Sequence, residues 1–147
     1  MTEKDTTKVK SEFKLTLIDL MMIIMIVGLV LTVIIPLQQT RRHESLVRES
    51  LRDMIKIIEA NEDFKLNSGW DDYAMDLGQL DGYLRDLGKS SLNINTSIFA
   101  YTLSDTIIVA TSEKLDHETK SYYYDMRDQR FRVSENSKDI IFDAWLP

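Results

Sequence analysis

The sequence predicts an α+β fold: one long N-terminal helix, membrane-spanning in its first half, packed on a small antiparallel sheet of three to four strands. Three observations lead to it. Residues 15–37 form an apolar run of membrane length, residues 38–64 keep apolar side chains at helical spacing, and residues 91–147 change to the period of strands. A short leader, residues 1–14, comes first, and residues 65–90 connect helix to sheet.

The chain has 147 residues, 18 basic and 24 acidic side chains, and no cysteine. A net charge of −6 argues against a nucleic-acid module, which would carry a basic face or stripe. A disulfide framework, a thiolate metal site and a cysteine nucleophile are all ruled out. The acidity is unevenly spread. Residues 38–147 hold 14 basic and 20 acidic side chains, which accounts for the whole −6.

Of the 23 residues in the apolar run, 18 are hydrophobic, the exceptions being Thr16, Asp19, Gly28, Thr32 and Pro36. A bilayer core about 30 Å thick needs roughly 20 helical residues, which this run supplies. The apolar core of a removable secretory signal is shorter, about 7–15 residues, and ends at a small-residue cleavage site. Here the run ends at Pro36-Leu37-Gln38-Gln39, so a permanent anchor is expected. Lys4, Lys8, Lys10 and Lys14 precede it and Arg41, Arg42, Arg48 and Arg52 follow, so charge alone does not orient the segment. Asp19 stands five residues into the run, where a carboxylate either reaches the interface or marks function. Gly28 would let another backbone approach closely. Pro36 deletes a helix donor, which kinks the helix or permits local unwinding.

Beyond Pro36, Leu46/Val47, Leu51, Met54/Ile55 and Ile58 fall on one helix face, and Glu44 precedes Arg48 as a favourable i,i+4 pair. The helix then amounts to a rod of about 70–75 Å. Asn67-Ser68-Gly69 is the expected stop. Residues 70–89 are rich in Asp and Gly, with Leu77, Leu80, Leu84 and Leu87 hinting at one or two short helical turns. Trp70, Tyr73 and Tyr83 either cover the core or contact a partner. Residues 98–103 and 106–111 flank Ser104-Asp105 as one hairpin, and residues 119–124 and 129–133 flank a second polar turn as another. The run Tyr122-Tyr123-Tyr124 reads as alternating strand positions, and residues 140–146 either add a strand or pack down.

Chemistry-bearing motifs are scarce. His43 and His117 lack ligand-spaced neighbours, no phosphate loop precedes a helix, and there is no nucleophile elbow. No enzymatic activity is expected.

Thr16-Leu17-Ile18-Asp19-Leu20-Met21, the apolar run through Gly28, and Pro36 near its end together resemble the N-terminal signature of type IV pilins and type II secretion pseudopilins. That resemblance implies a pilin-like fold. It also implies a precursor in the bacterial inner membrane, single-pass, with a cytoplasmic leader and the globular part outside. A prepilin peptidase would cleave between Lys14 and Leu15 and methylate the new amine. Subunits would then leave the membrane, through an assembly platform, for a periplasmic or extracellular filament built with copies of themselves or other pilin-like subunits. Asp19 would pair with the amine of a neighbour, and Gly28 and Pro36 would serve close packing or helix melting. Some pseudopilins hold calcium in their C-terminal loops, for which Asp125, Asp128, Glu135 and Asp139 are the oxygen candidates here; no other cofactor is expected. Two departures stand out: Lys14 replaces the family's glycine, and Asp19 its glutamate. A peptidase that demands a small residue would be blocked by Lys14. The expected function is therefore a structural subunit of a pilus-like filament or secretion pseudopilus. The alternative is a single-pass anchored binding or sensor domain that is neither processed nor polymerised.

Overall fold

The structure, a computed structural model, describes residues 16–104, 106–116 and 118–147. The leader with Lys14 and Leu15 lies outside these residues, as do Asp105 and His117. The chain forms two units, one ending at Leu37 and the other spanning Gln38–Pro147. Helix α1 runs Leu17–Asn67 and contributes to both.

In the first unit every large apolar side chain from Leu17 to Leu37 is open, with exposures of 42–75%. A soluble core helix would hide one face. This one is long and apolar enough to cross a membrane and has no buried residue in its apolar window. It is a candidate membrane span.

The second unit has its own core. Val47, Ser50, Leu51, Met54, Ile57, Ile58, Asn61 and Phe64 form the buried stripe of α1, at spacings of one, three and four. One correction to the expected stripe follows. Ile55 is 41% exposed and points away, while Ile57 is fully buried in its place. Near the end of α1, Phe64 buries its ring in a T-shaped pair with Tyr83, with centroids 5.2 Å apart. The stop itself is where it was expected. The Ser68 N–H donates to the Phe64 carbonyl at 2.9 Å, and Gly69 turns the chain at φ +78°.

The connector is more ordered than its composition suggests. Helix α2, Leu77–Asp86, is ten residues long rather than one or two turns. Asp76 caps it, accepting from the Gln79 N–H at 2.8 Å, and Leu80 and Leu84 are buried beneath it. Asn61 of α1 ties the segment before α2 to the core by accepting from the Ala74 N–H at 2.8 Å. Tyr73 and Tyr83 join the core margin, whereas Trp70 does not.

The sheet is a four-stranded antiparallel meander, β1 Ala100–Ser104, β2 Ile107–Ser112, β3 Lys120–Asp125 and β4 Arg130–Val133, in the order β1-β2-β3-β4. Both expected hairpins are present. Register places Tyr101, Ala110, Tyr122 and Val133 in one cross-strand row, and Leu103, Ile108, Tyr124 and Phe131 in the next. Seven of these eight are buried, Phe131 partly so, and they face α1. The alternation in the tyrosine run holds: Tyr122 and Tyr124 are buried and Tyr123 is not. Ala110 sits between two tyrosines and leaves room for both rings. Their hydroxyls converge on Ser50, Tyr122 bonding its Oγ and Tyr101 donating to its carbonyl at 3.4 Å. Burial raises both phenol pKa values above the ordinary tyrosine range, so these groups stay neutral donors.

The tail adds no strand. It forms two 3-10 turns, Glu135–Ser137 and Asp143–Trp145, and packs down through the fully buried Ile141.

The interface between α1 and the sheet should show its components in unfolding. Met54→Ala is expected to cost about 3 kcal/mol, the range for a buried large-to-small change. Tyr122→Phe should cost only about 1 kcal/mol, because Ser50 Oγ keeps its bond to the Val47 carbonyl. Urea unfolding of the full-length protein in detergent measures both.

Candidate functional site

The N-terminal end of α1 contains a reciprocal cap. The Asp19 N–H donates to Thr16 Oγ1 at 3.2 Å. In return Asp19 Oδ2 accepts from the Thr16 N–H at 3.0 Å and from its hydroxyl at 2.6 Å. The Thr16 carbonyl already accepts from the Leu20 N–H at 3.1 Å, which makes Thr16 the capping residue and Asp19 the third residue of the first turn. This is a capping box with Asp in the place usually held by Glu or Gln. Its signal is present in the sequence as Thr-x-x-Asp before an apolar run.

The cap matters for the energy of the charge. The first turn of a helix presents unpaired N–H groups and the positive end of the helix dipole. A carboxylate fixed there is stabilised by its own chain before any partner arrives. Both local bonds use Oδ2, and among the described residues nothing bonds Oδ1. One oxygen thus holds the helix start.

Farther along, Gly28 has nothing within 4 Å of where a Cβ would lie. No packing within the described chain requires glycine there, and the gap opens outward. Thr32 satisfies its hydroxyl locally, donating to the Leu29 carbonyl at 2.7 Å, which suits it to apolar surroundings. Helix α1 is assigned straight through Pro36, although proline has no N–H to offer the preceding turn.

The four carboxylates considered for calcium are not brought together. Asp125 accepts from the Arg127 N–H at 2.9 Å, Asp128 pairs with Arg132 at 2.6 Å, and Glu135 with Lys138 at 2.6 Å. Among the described residues there is no cluster of three metal-ligating side chains. Asp139 instead faces an ammonium. Lys120, whose side chain is only 2% exposed, donates to both Asp139 oxygens at 3.1 Å, to the Asn136 carbonyl at 2.9 Å and to Glu118 at 3.3 Å. Ser137 and Ser121 complete the junction, the Ser121 N–H donating to Ser137 Oγ at 2.8 Å. A buried lysine therefore clasps the tail to β3, and sequence reading missed it. Burial pulls Lys120 toward neutrality, but its bonds to Asp139 and Glu118 outweigh that and raise its pKa above 10.5. The Lys120 hydrogen bond likewise holds Asp139 below 3.8, against the opposing effect of desolvation.

No protein-family model, curated protein or solved structure matches this chain.

The clasp has a defined pH window. Asp139, with its depressed pKa, contributes stability at neutral pH that is lost as pH falls below 3.8. Lys120, with its raised pKa, contributes stability below 10.5 that is lost as pH rises above that value. Lys120→Met is expected to lower Tm by several degrees at neutral pH and to speed tryptic cleavage after Lys138. The Tm difference from wild type should shrink at both pH extremes, which thermal scans across pH would measure.

Proposed function

We propose that this chain is a structural subunit of a helical filament of the type IV pilus or secretion pseudopilus kind. What carries this reading is α1: a helix apolar on every side, with a charged residue held at its start and an outward gap at Gly28. A helix of that kind is stable in lipid, and equally so among copies of itself. Assembly would exchange one apolar environment for the other at little hydrophobic cost. Asp19 is then the one feature that distinguishes the two environments. Its second oxygen would accept the amine of a neighbouring subunit starting at Leu15, and the pair would set the axial register. The sheet unit would form the outer surface. In this proposal the leader faces the cytoplasm until a prepilin peptidase removes it, the globular unit lies outside, and an inner-membrane platform drives extraction. The protein has no catalytic role of its own.

One observation favours a second reading, a static single-pass anchor for a binding domain. Thr16 already supports the Asp19 carboxylate, so that charge is tolerable with the leader still attached, as Lys14 at the cleavage position would leave it.

Substitution at Asp19 tests the filament reading, because the cap and the charge can be separated. Asp19→Asn keeps an acceptor oxygen for Thr16 and removes the charge, while Thr16→Val removes the cap and keeps the charge. We expect Asp19→Asn and Asp19→Ala to insert normally and to be lost from sheared filaments, and Thr16→Val to assemble at a reduced level. Wild-type filament yield from Asp19→Asn would sink the pairing role. Better assembly by Asp19→Glu would show that reach limits the native pair. N-terminal sequencing of the membrane-derived protein decides processing: a methylated Leu15 supports the subunit, an intact leader the anchor.

A further inference from the structure

A surface groove of about 450 Å³ lies between the end of α1 and α2, lined by Asn67, Trp70, Gln79, Gly82, Tyr83 and Asp86 among others. It is an open depression rather than an enclosed cavity. Three features of it bear on what it could hold.

The first is Trp70. The indole is 72% exposed, the opposite of what its apolar area would favour. Nor is it on a loose end. Trp70 stands between Gly69 at φ +78° and Asp71 at φ +59°, and its backbone N–H donates to Ser68 Oγ at 3.3 Å. A left-handed aspartate is an uncommon backbone state, here used to present a ring to solvent.

The second is Gly82, in the middle of α2, where only proline would favour the helix less. Nothing lies within 4 Å of where its Cβ would be, so close packing does not require glycine. Its effect is to keep the groove floor open beside the backbone.

The third is the orientation of the polar side chains. Gln79 Oε1 accepts from the Met75 N–H at 2.8 Å, which leaves its NH2 as a donor. Asn67 Nδ2 donates to Asp63 at 2.7 Å, which leaves its Oδ1 as an acceptor. Among the described residues Asp86 has no hydrogen-bond or ionic partner. The lining thus carries two amide groups and a carboxylate beside an exposed aromatic ring.

We propose that this groove binds a neutral saccharide. A pyranose has one face of C–H groups, which stack on an indole, and a rim of hydroxyls, each both donor and acceptor, which suit amides and a carboxylate. No Lys or Arg lines the groove, and Asp86 repels anions, so phosphates and sulfates are disfavoured. An organic cation would want several ring faces around it. Here only Trp70 is largely exposed, since Phe64 is buried and Tyr83 is half-buried in a T-shaped pair with it. The proposal is independent of whether the chain polymerises.

The test uses the full-length protein in a polyoxyethylene detergent, which has neither a sugar nor a choline headgroup. Saturation-transfer NMR is recorded with maltotriose, cellotriose, chitotriose and lactose, with choline as the cationic comparison. Trp70 emission is followed in a Trp145→Phe background. At least one saccharide should give saturable transfer and a blue shift of Trp70. Saturation transfer should disappear in Trp70→Ala, and both signals should disappear in Gly82→Leu, whose side chain fills the groove. Asp86→Ala, an exposed change that leaves folding intact, should weaken binding about tenfold or more. No saturable binding by any of the four saccharides would overturn the proposal, as would binding that survives both Gly82→Leu and Asp86→Ala. Choline binding in place of sugar binding would assign the groove to organic cations. Loss of self-association in Trp70→Ala without any sugar signal would make it a contact between copies.

Discussion

The dominant constraint on this protein is an uncovered apolar surface. From Leu17 to Leu37 the helix turns hydrophobic side chains outward in every direction, and the described chain supplies nothing to cover them. Water cannot be the permanent neighbour of such a surface. That half of α1 is long and apolar enough to cross a membrane and is a candidate span. The Gln38–Pro147 unit answers the complementary problem. Its part of α1 has one apolar stripe rather than a full cylinder, and the sheet is shaped to that stripe. Ala110 recedes so that Tyr101 and Tyr122 can reach Ser50, a small residue that allows close approach of helix and sheet.

Most of this architecture is legible in the residues. The apolar run, the helical stripe and both hairpins follow from periodicity, because each segment's pattern agrees with the layer it packs against. The discrepancies have local causes. Ile55 and Ile57 are both apolar and two residues apart, and only the direction of the sheet decides which turns inward. Helix α2 emerges from an Asp- and Gly-rich stretch because Asp76 caps it and Leu80 and Leu84 anchor it, although its glycines disfavour it. Phe64 finds its ring partner Tyr83 on α2, across a connector whose fold no local pattern predicts.

The functional residues divide in the same way. The Thr16–Asp19 cap is a local pattern and was readable. Lys120 was half readable: strand alternation places it on the face of Tyr122 and Tyr124, where a lysine is unexpected. Its partners lie 16 and 19 residues onward in a tail with no periodic signal, so only the folded chain brings them together. Trp70 gave the opposite difficulty. An aromatic residue in a short connector suggests burial by default, and the paired left-handed residues around it became visible only in the backbone.

The Lys120 clasp has a wider implication. Small domains often close a C-terminal loop with a disulfide, whose formation requires an oxidant and whose persistence depends on the compartment. A cluster of one ammonium, two carboxylates and a backbone carbonyl forms as soon as the chain folds and is indifferent to thiol chemistry. Maturation of this domain therefore needs no oxidoreductase, and reductants should leave its tail closed. Protons, rather than electrons, are the currency that opens it.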